Sequence, residues 1–136
     1  MSRRHRSQRG AAAVEFALVV PVLLALVLGI VEFGRAYYIE TTLSSAAREG
    51  VRSMALQNDA TTARTTTKNA ATGLTLTDSQ IAISYLSPVT ATSCTVTGTT
   101  APPSVVVTIT YPMAYITQFF GSSITLTAKG VMRCNG

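Results

Sequence analysis

Tryptophan is absent from this sequence, and histidine occurs once, as His5. A lone histidine beside two cysteines excludes metal centres built on several histidines and disfavours histidine-based catalytic triads. No Gly-x-Ser-x-Gly nucleophile motif is present, and no histidine lies beyond the first ten residues, so a Ser- or Thr-based hydrolase finds no support. No catalytic residue, no metal site and no cofactor are therefore expected. Charge is scarce as well, at 12% of residues against 47% hydrophobic, which is the wrong balance for a disordered, solvating chain. The formal net charge of +5 suggests nucleic-acid binding until it is mapped, because Arg3, Arg4, Arg6 and Arg9 carry most of it. Nucleic-acid binding needs a folded basic face, and a short basic leader is not one. Those arginines suit membrane topology and attraction to anionic inner-membrane lipid, and His5 belongs to the same solvated leader. With 136 residues the chain has room for one globular domain at most.

What the sequence does contain is one long apolar run over residues 11–31, interrupted by a single charge, Glu15, and a single breaker, Pro21. At about 1.5 Å per residue, roughly 20 such residues cross a hydrocarbon layer about 30 Å thick. In lipid the backbone must satisfy its own hydrogen bonds, so the run is expected to be helical. Pro21 removes the donor for the Ala17 carbonyl and predicts a bend or loosened turn there. A cleaved secretory signal would have a shorter apolar region ending at a small-residue site before a polar chain. Here Gly29-Ile30-Val31-Glu32-Phe33-Gly34-Arg35-Ala36 leads straight into more helix-compatible sequence. Four arginines before the span, against balanced charge after it, predict a cytoplasmic N-terminus and an external remainder. The helix is expected to continue outward, because Ile39, Leu43, Ala46/Ala47, Gly50/Val51 and Met54 recur every three or four residues as one apolar stripe. Asn58-Asp59 is the expected stop.

Residues 58–80 are rich in Thr, Ala and Asn, and are expected to form a linker with helical tendency, most of it at 61–71. Three later stretches alternate with period two, at 81–85, 105–111 and 124–129, and each predicts a strand with one buried face. The 112–120 connection, with Met113, Tyr115, Ile116, Phe119 and Phe120, reads as a short amphipathic turn or helix covering the sheet. The expected fold is α+β, with a basic leader at 1–10, a transmembrane and amphipathic helix at 11–57 and a small antiparallel β-sheet head at 58–136. So small a core benefits from packing on the long helix, on other subunits or through a covalent staple. Cys94 and Cys134 both fall in segments expected outside the cytoplasm, where oxidation to a disulfide competes with two free thiols.

The junction Arg9-Gly10-Ala11-Ala12-Ala13-Val14-Glu15-Phe16 carries the most unusual chemistry in the chain. An ionised carboxylate deep in a bilayer costs about 2.5 to 3.5 kcal/mol on insertion scales and less near an interface, so an acid in an apolar helix is a functional candidate. Two readings fit Glu15. It sits in the first helical turn near the headgroups, where the helix dipole favours a negative charge. Alternatively, cleavage after Gly10 would give Ala11 a new α-amine, able to pair with Glu15 of a neighbouring chain as apolar helices stack. Glu32 and Arg35, at the outer edge of the span, suit either an intrahelical pair or a register contact between subunits.

The run Arg9-Gly10-Ala11-Ala12-Ala13-Val14-Glu15-Phe16-Ala17-Leu18, then Pro21, Glu32-Phe33-Gly34-Arg35 and Ala46-Ala47-Arg48-Glu49-Gly50-Val51-Arg52, closely resembles the TadE-like family of pseudopilins. That family serves the tight adherence (Tad, Flp) type IV pilus machinery of bacteria. The resemblance implies a pilin-like fold and cleavage between Gly10 and Ala11 by a dedicated prepilin peptidase. It also makes Glu15 the register-setting acid of the mature helix. Phe16 keeps the ring that the pilin pattern places after this acid while losing a tyrosine's hydroxyl. The implied partners are the peptidase, other pilins and pseudopilins, the Tad secretion and assembly platform, and inner-membrane lipid. The implied role is in initiating or capping pili rather than forming their bulk. The competing expectation is an uncleaved, single-span envelope protein whose external domain is structural or binds partners.

Overall fold

The computed structural model describes residues 5–86, 91–95, 102–118 and 121–134, with side chains from Gly10 onward. The elements run α1 (His5–Gln57), α2 (Ala60–Ala70), a 3-10 turn at Asp78–Gln80, β1 (Ile81–Leu86), β2 (Ser104–Ala114) and β3 (Ser123–Arg133). The chain divides after Arg35 into two compact units. This is the α+β arrangement expected, a long N-terminal helix followed by a three-stranded antiparallel sheet.

The first unit holds the apolar part of α1. Val14, Phe16, Leu18, Val19, Val22, Leu23, Leu24, Leu26 and Ile30 are all exposed on it. The stretch Gly10–Gln57 includes a window of mean hydropathy 2.8, none of it buried, and is long and apolar enough to cross a membrane. Contiguous apolar surface of this extent requires lipid or partner helices around it. The helix continues through Pro21 without interruption, as prolines in membrane helices often permit.

The second unit is built around the outer part of α1. Ile39, Leu43, Ala46, Ala47, Val51 and Met54 are buried, so the stripe finds its partner within the same chain. That partner is the inner face of the sheet, with Ile81, Val105, Val107, Ile109, Met113 and Ala128 in the same core, and Ala63 of α2 beside them. Strand order is β1-β2-β3, with Ile81 opposite Ile109 and Val107 opposite Gly130. Helix α1 stops where expected. Asn58 adopts φ 51°, a left-handed cap conformation that asparagine tolerates, and its N–H donates to the Met54 carbonyl at 3.0 Å.

The reading of 58–80 as mainly a linker is corrected, since 60–70 is a formed helix despite five threonines in its sequence ATTARTTTKNA. Propensity loses to capping and burial. The Asp59 carboxylate accepts from the Thr61 N–H at 2.9 Å and from the Thr62 hydroxyl at 2.5 Å, satisfying donors at the helix start. The Thr62 hydroxyl and then the Thr61 N–H hold the Asp59 carboxyl below its ordinary pKa. Thr67 is fully buried, and its hydroxyl donates to the Ala63 carbonyl at 2.8 Å, so its polar atom is not orphaned in the core.

The amphipathic turn or helix expected over 112–120 is corrected in part, since only its first residues join the sheet and a turn follows. Pro112, Met113 and Ala114 extend β2, paired with Thr125, Ile124 and Ser123. Residues 115–118 form an irregular turn in which the Tyr115 N–H donates to the Ser122 carbonyl; Phe119 and Phe120 lie outside the described residues. Proline is tolerated in this strand because β1 pairs only as far along β2 as Ile109, leaving Pro112 on a stretch bonded on one side.

Cys94 and Cys134 form a disulfide, with Cα atoms 5.1 Å apart and a sequence separation of 40. The Cys94 N–H donates to Asn58 Oδ1 at 2.7 Å, and the Cys134 N–H to the Pro103 carbonyl at 2.9 Å. The bridge thus secures the end of β3 near the end of α1. Replacing both cysteines by serine is expected to cost about 2 to 4 kcal/mol, through the freedom returned to the unfolded chain. Thermal unfolding of the full chain in detergent checks this: Tm should fall by roughly 10 °C or more, and an unchanged Tm would count against a stabilising bridge.

Candidate functional site: the N-terminal face of the long helix

Gly10, Ala11, Glu15 and Phe16 all lie on α1, which is already helical at His5. Gly10 and Ala11 are exposed, and the space where a Gly10 side chain would stand is open. Glycine at this position costs roughly 0.5 to 1 kcal/mol of helix stability relative to alanine. Ala12, Glu15, Phe16 and Val19 line one shallow furrow along the helix. Their spacing of three, four and seven residues places them on a single face. All four are exposed, so the single chain presents a carboxylate framed by a small residue, an aromatic ring and a branched aliphatic. The carboxylate demands a specific partner, because an unpaired charge among apolar helices is expensive.

Farther along α1, Phe33, Tyr37 and Tyr38 are exposed beside Arg35, a set of amphipathic residues suited to a membrane–water boundary. Glu32 is buried whereas Arg35 is exposed.

The part of the motif from Ala46 to Arg52 does different work, and sequence reasoning missed it. At Gly130 of β3 an added Cβ would stand 2.5 Å from the Ala47 carbonyl oxygen and 3.1 Å from the Arg48 nitrogen. At Gly50 an added Cβ would overlap the Thr67 hydroxyl and stand 3.2 Å from Thr67 Cβ. The small residues Ala46, Ala47 and Gly50 therefore make a platform on which β3 and α2 come down to backbone distance. An isolated glycine inside a strand pattern, Lys129-Gly130-Val131, was the signal available for this close approach. Among the described residues no cluster of three or more His, Cys, Asp or Glu could hold a metal ion.

The fold is an α+β head on a long N-terminal helix that is apolar enough to cross a membrane. Residues 10–52, the whole of that face and platform, match the family model described as TadE-like protein. The match joins the leader glycine, Glu15, Pro21 and the Ala46–Arg52 platform in one segment. No curated protein and no solved structure matches the chain.

Proposed function

We propose that this protein is a minor pilin-like subunit of a Tad-type pilus system, a structural component rather than an enzyme. The observation that carries this reading is the exposed face of Ala12, Glu15, Phe16 and Val19 within a segment matching the TadE-like family. The leader keeps the N-terminus in the cytoplasm, α1 crosses the inner membrane, and the head stands outside. A prepilin peptidase removes residues 1–10, and the freed helix packs among those of other pilins and pseudopilins on the Tad assembly platform. Glu15 selects register in that bundle, since only an alignment offering it a cationic partner avoids leaving a bare carboxylate in hydrocarbon. The Ala11 α-amine of a neighbouring chain is that partner. The role fits initiation or capping of pili in adherence.

A Glu15→Ala chain should still be cleaved, be found in the membrane at normal abundance, and support few or no pili. Piliation at the wild-type level, measured by electron microscopy alongside immunoblotting of the processed form, would contradict the role given to Glu15.

A further inference from the structure

Strand β3 is one of the two edge strands of the sheet, and no other strand pairs with its outer edge among the described residues. It is 11 residues long, and Ser123, Ile124, Thr125, Thr127, Lys129, Val131, Met132 and Arg133 are exposed along it. At its C-terminal end a notch of about 360 Å³ opens between β3 and the last turns of α1, lined by Arg52, Ala55, Leu56, Met132 and Arg133. Two guanidinium groups thus flank an apolar floor. Lys129 falls on the same face of β3 as Arg133, four residues away. No carboxylate is among the residues lining the notch; the nearest acid on α1 is Glu49, three residues before Arg52.

An unpaired strand edge of this length is a template for another strand, and proteins usually blunt such edges with charge. The charges here also select the occupant. Antiparallel pairing of β3 with β3 of a second copy would set Lys129 or Arg133 against a like charge in the registers centred on residues 129, 131 and 133. Nor does this chain offer an acidic strand, because Glu15, Glu32, Glu40, Glu49, Asp59 and Asp78 all lie on helices, on a helix cap or in the 3-10 turn. We propose that β3 docks an extended acidic segment of a different protein. The segment adds as a fourth strand, with a carboxylate held between Arg52 and Arg133 and an apolar side chain seated on Ala55, Leu56 and Met132. Backbone hydrogen bonds supply the binding and the cations supply the selectivity. This surface lies on the head and does not depend on cleavage of the leader or on Glu15.

The test uses the full chain in detergent micelles and a fluorescent peptide of alternating valine and glutamate, followed by anisotropy. The peptide is expected to bind, and the double variant Arg52→Ala/Arg133→Ala to weaken it by roughly tenfold or more. The same peptide N-methylated at every residue keeps its charge but has no N–H left on either edge to pair with the strand, and it should not bind. A counterpart with lysine for glutamate should not bind either. The proposal is overturned by failure of the acidic peptide to bind, or by equal binding of the methylated or the lysine peptide. It is also overturned if phosphatidylglycerol vesicles displace the peptide through the same two arginines, since the notch would then be a lipid site.

Discussion

Gly130→Ala should destabilise the head by about 3 kcal/mol, the upper part of the range for forcing an extra carbon into a packed core. The neighbours it would meet are the Ala47 carbonyl at 2.5 and 2.7 Å and the Arg48 nitrogen at 3.1 Å. These are backbone atoms in the middle of α1, so they cannot rotate away as a side chain can. Relief requires β3 to lift off the helix, which would expose Ala128 and strain the pairing of Val107 with Gly130 at the centre of the sheet. Thermal unfolding in detergent should show Tm lower by more than about 10 °C. Thr127→Ala, on the solvent face of the same strand, should change stability by no more than about 0.5 kcal/mol. A Gly130→Ala chain as stable as the original would mean that sheet and helix are not in backbone contact.

Gly50→Ala is the second large effect, and its mechanism differs because the obstacle is a side chain. The new methyl would occupy the place of the Thr67 hydroxyl, which is fully buried and donates to the Ala63 carbonyl. To make room, Thr67 must rotate and surrender that bond, or α2 must shift outward. The expected loss is about 1 to 3 kcal/mol, reduced by the roughly 0.5 to 1 kcal/mol that alanine returns to a helix interior. Because the clash is with one oxygen, Thr67→Ala should recover at least half of it in the double variant, a coupling that a double-mutant cycle measures directly. Additive losses would mean that Gly50 is not set against Thr67. Gly34→Ala, where nothing stands within 4 Å of the added carbon, serves as the helix-propensity control.

Both effects locate what was legible in the sequence and what was not. The span, the stripe from Ile39 to Met54, the stop at Asn58 and the three strands follow from periodicity and hydropathy. Those patterns describe how each element meets its surroundings, and they survive without knowledge of the partner. The α2 helix was undervalued because threonine propensity is a local average, whereas its formation depends on Asp59 capping its start and on Thr67 burying a satisfied hydroxyl. The start of the connection falls on β2 instead because Pro112, Met113 and Ala114 also suit the end of a strand, and the shortness of β1 that leaves Pro112 paired on one side only is a tertiary fact. The N-terminal face of Glu15 is legible as an anomaly, a carboxylate in an apolar run. Its framing by Ala12, Phe16 and Val19 follows from helix geometry. The platform beneath β3 was not legible, because Ala46, Ala47 and Gly50 look alike whether they face a strand, a neighbouring helix or lipid.

The apolar run over residues 11–31, largely exposed on α1, makes cleavage after Gly10 the central demand of the proposed function. Intact-mass and N-terminal peptide mass spectrometry of the protein recovered from cells bearing pili tests it most directly. A chain beginning at Ala11, with residues 1–10 removed, is the expected result. Protein in assembled pili that still carries Arg3, Arg4, Arg6 and Arg9 would contradict it and leave a single-span tether with an external head.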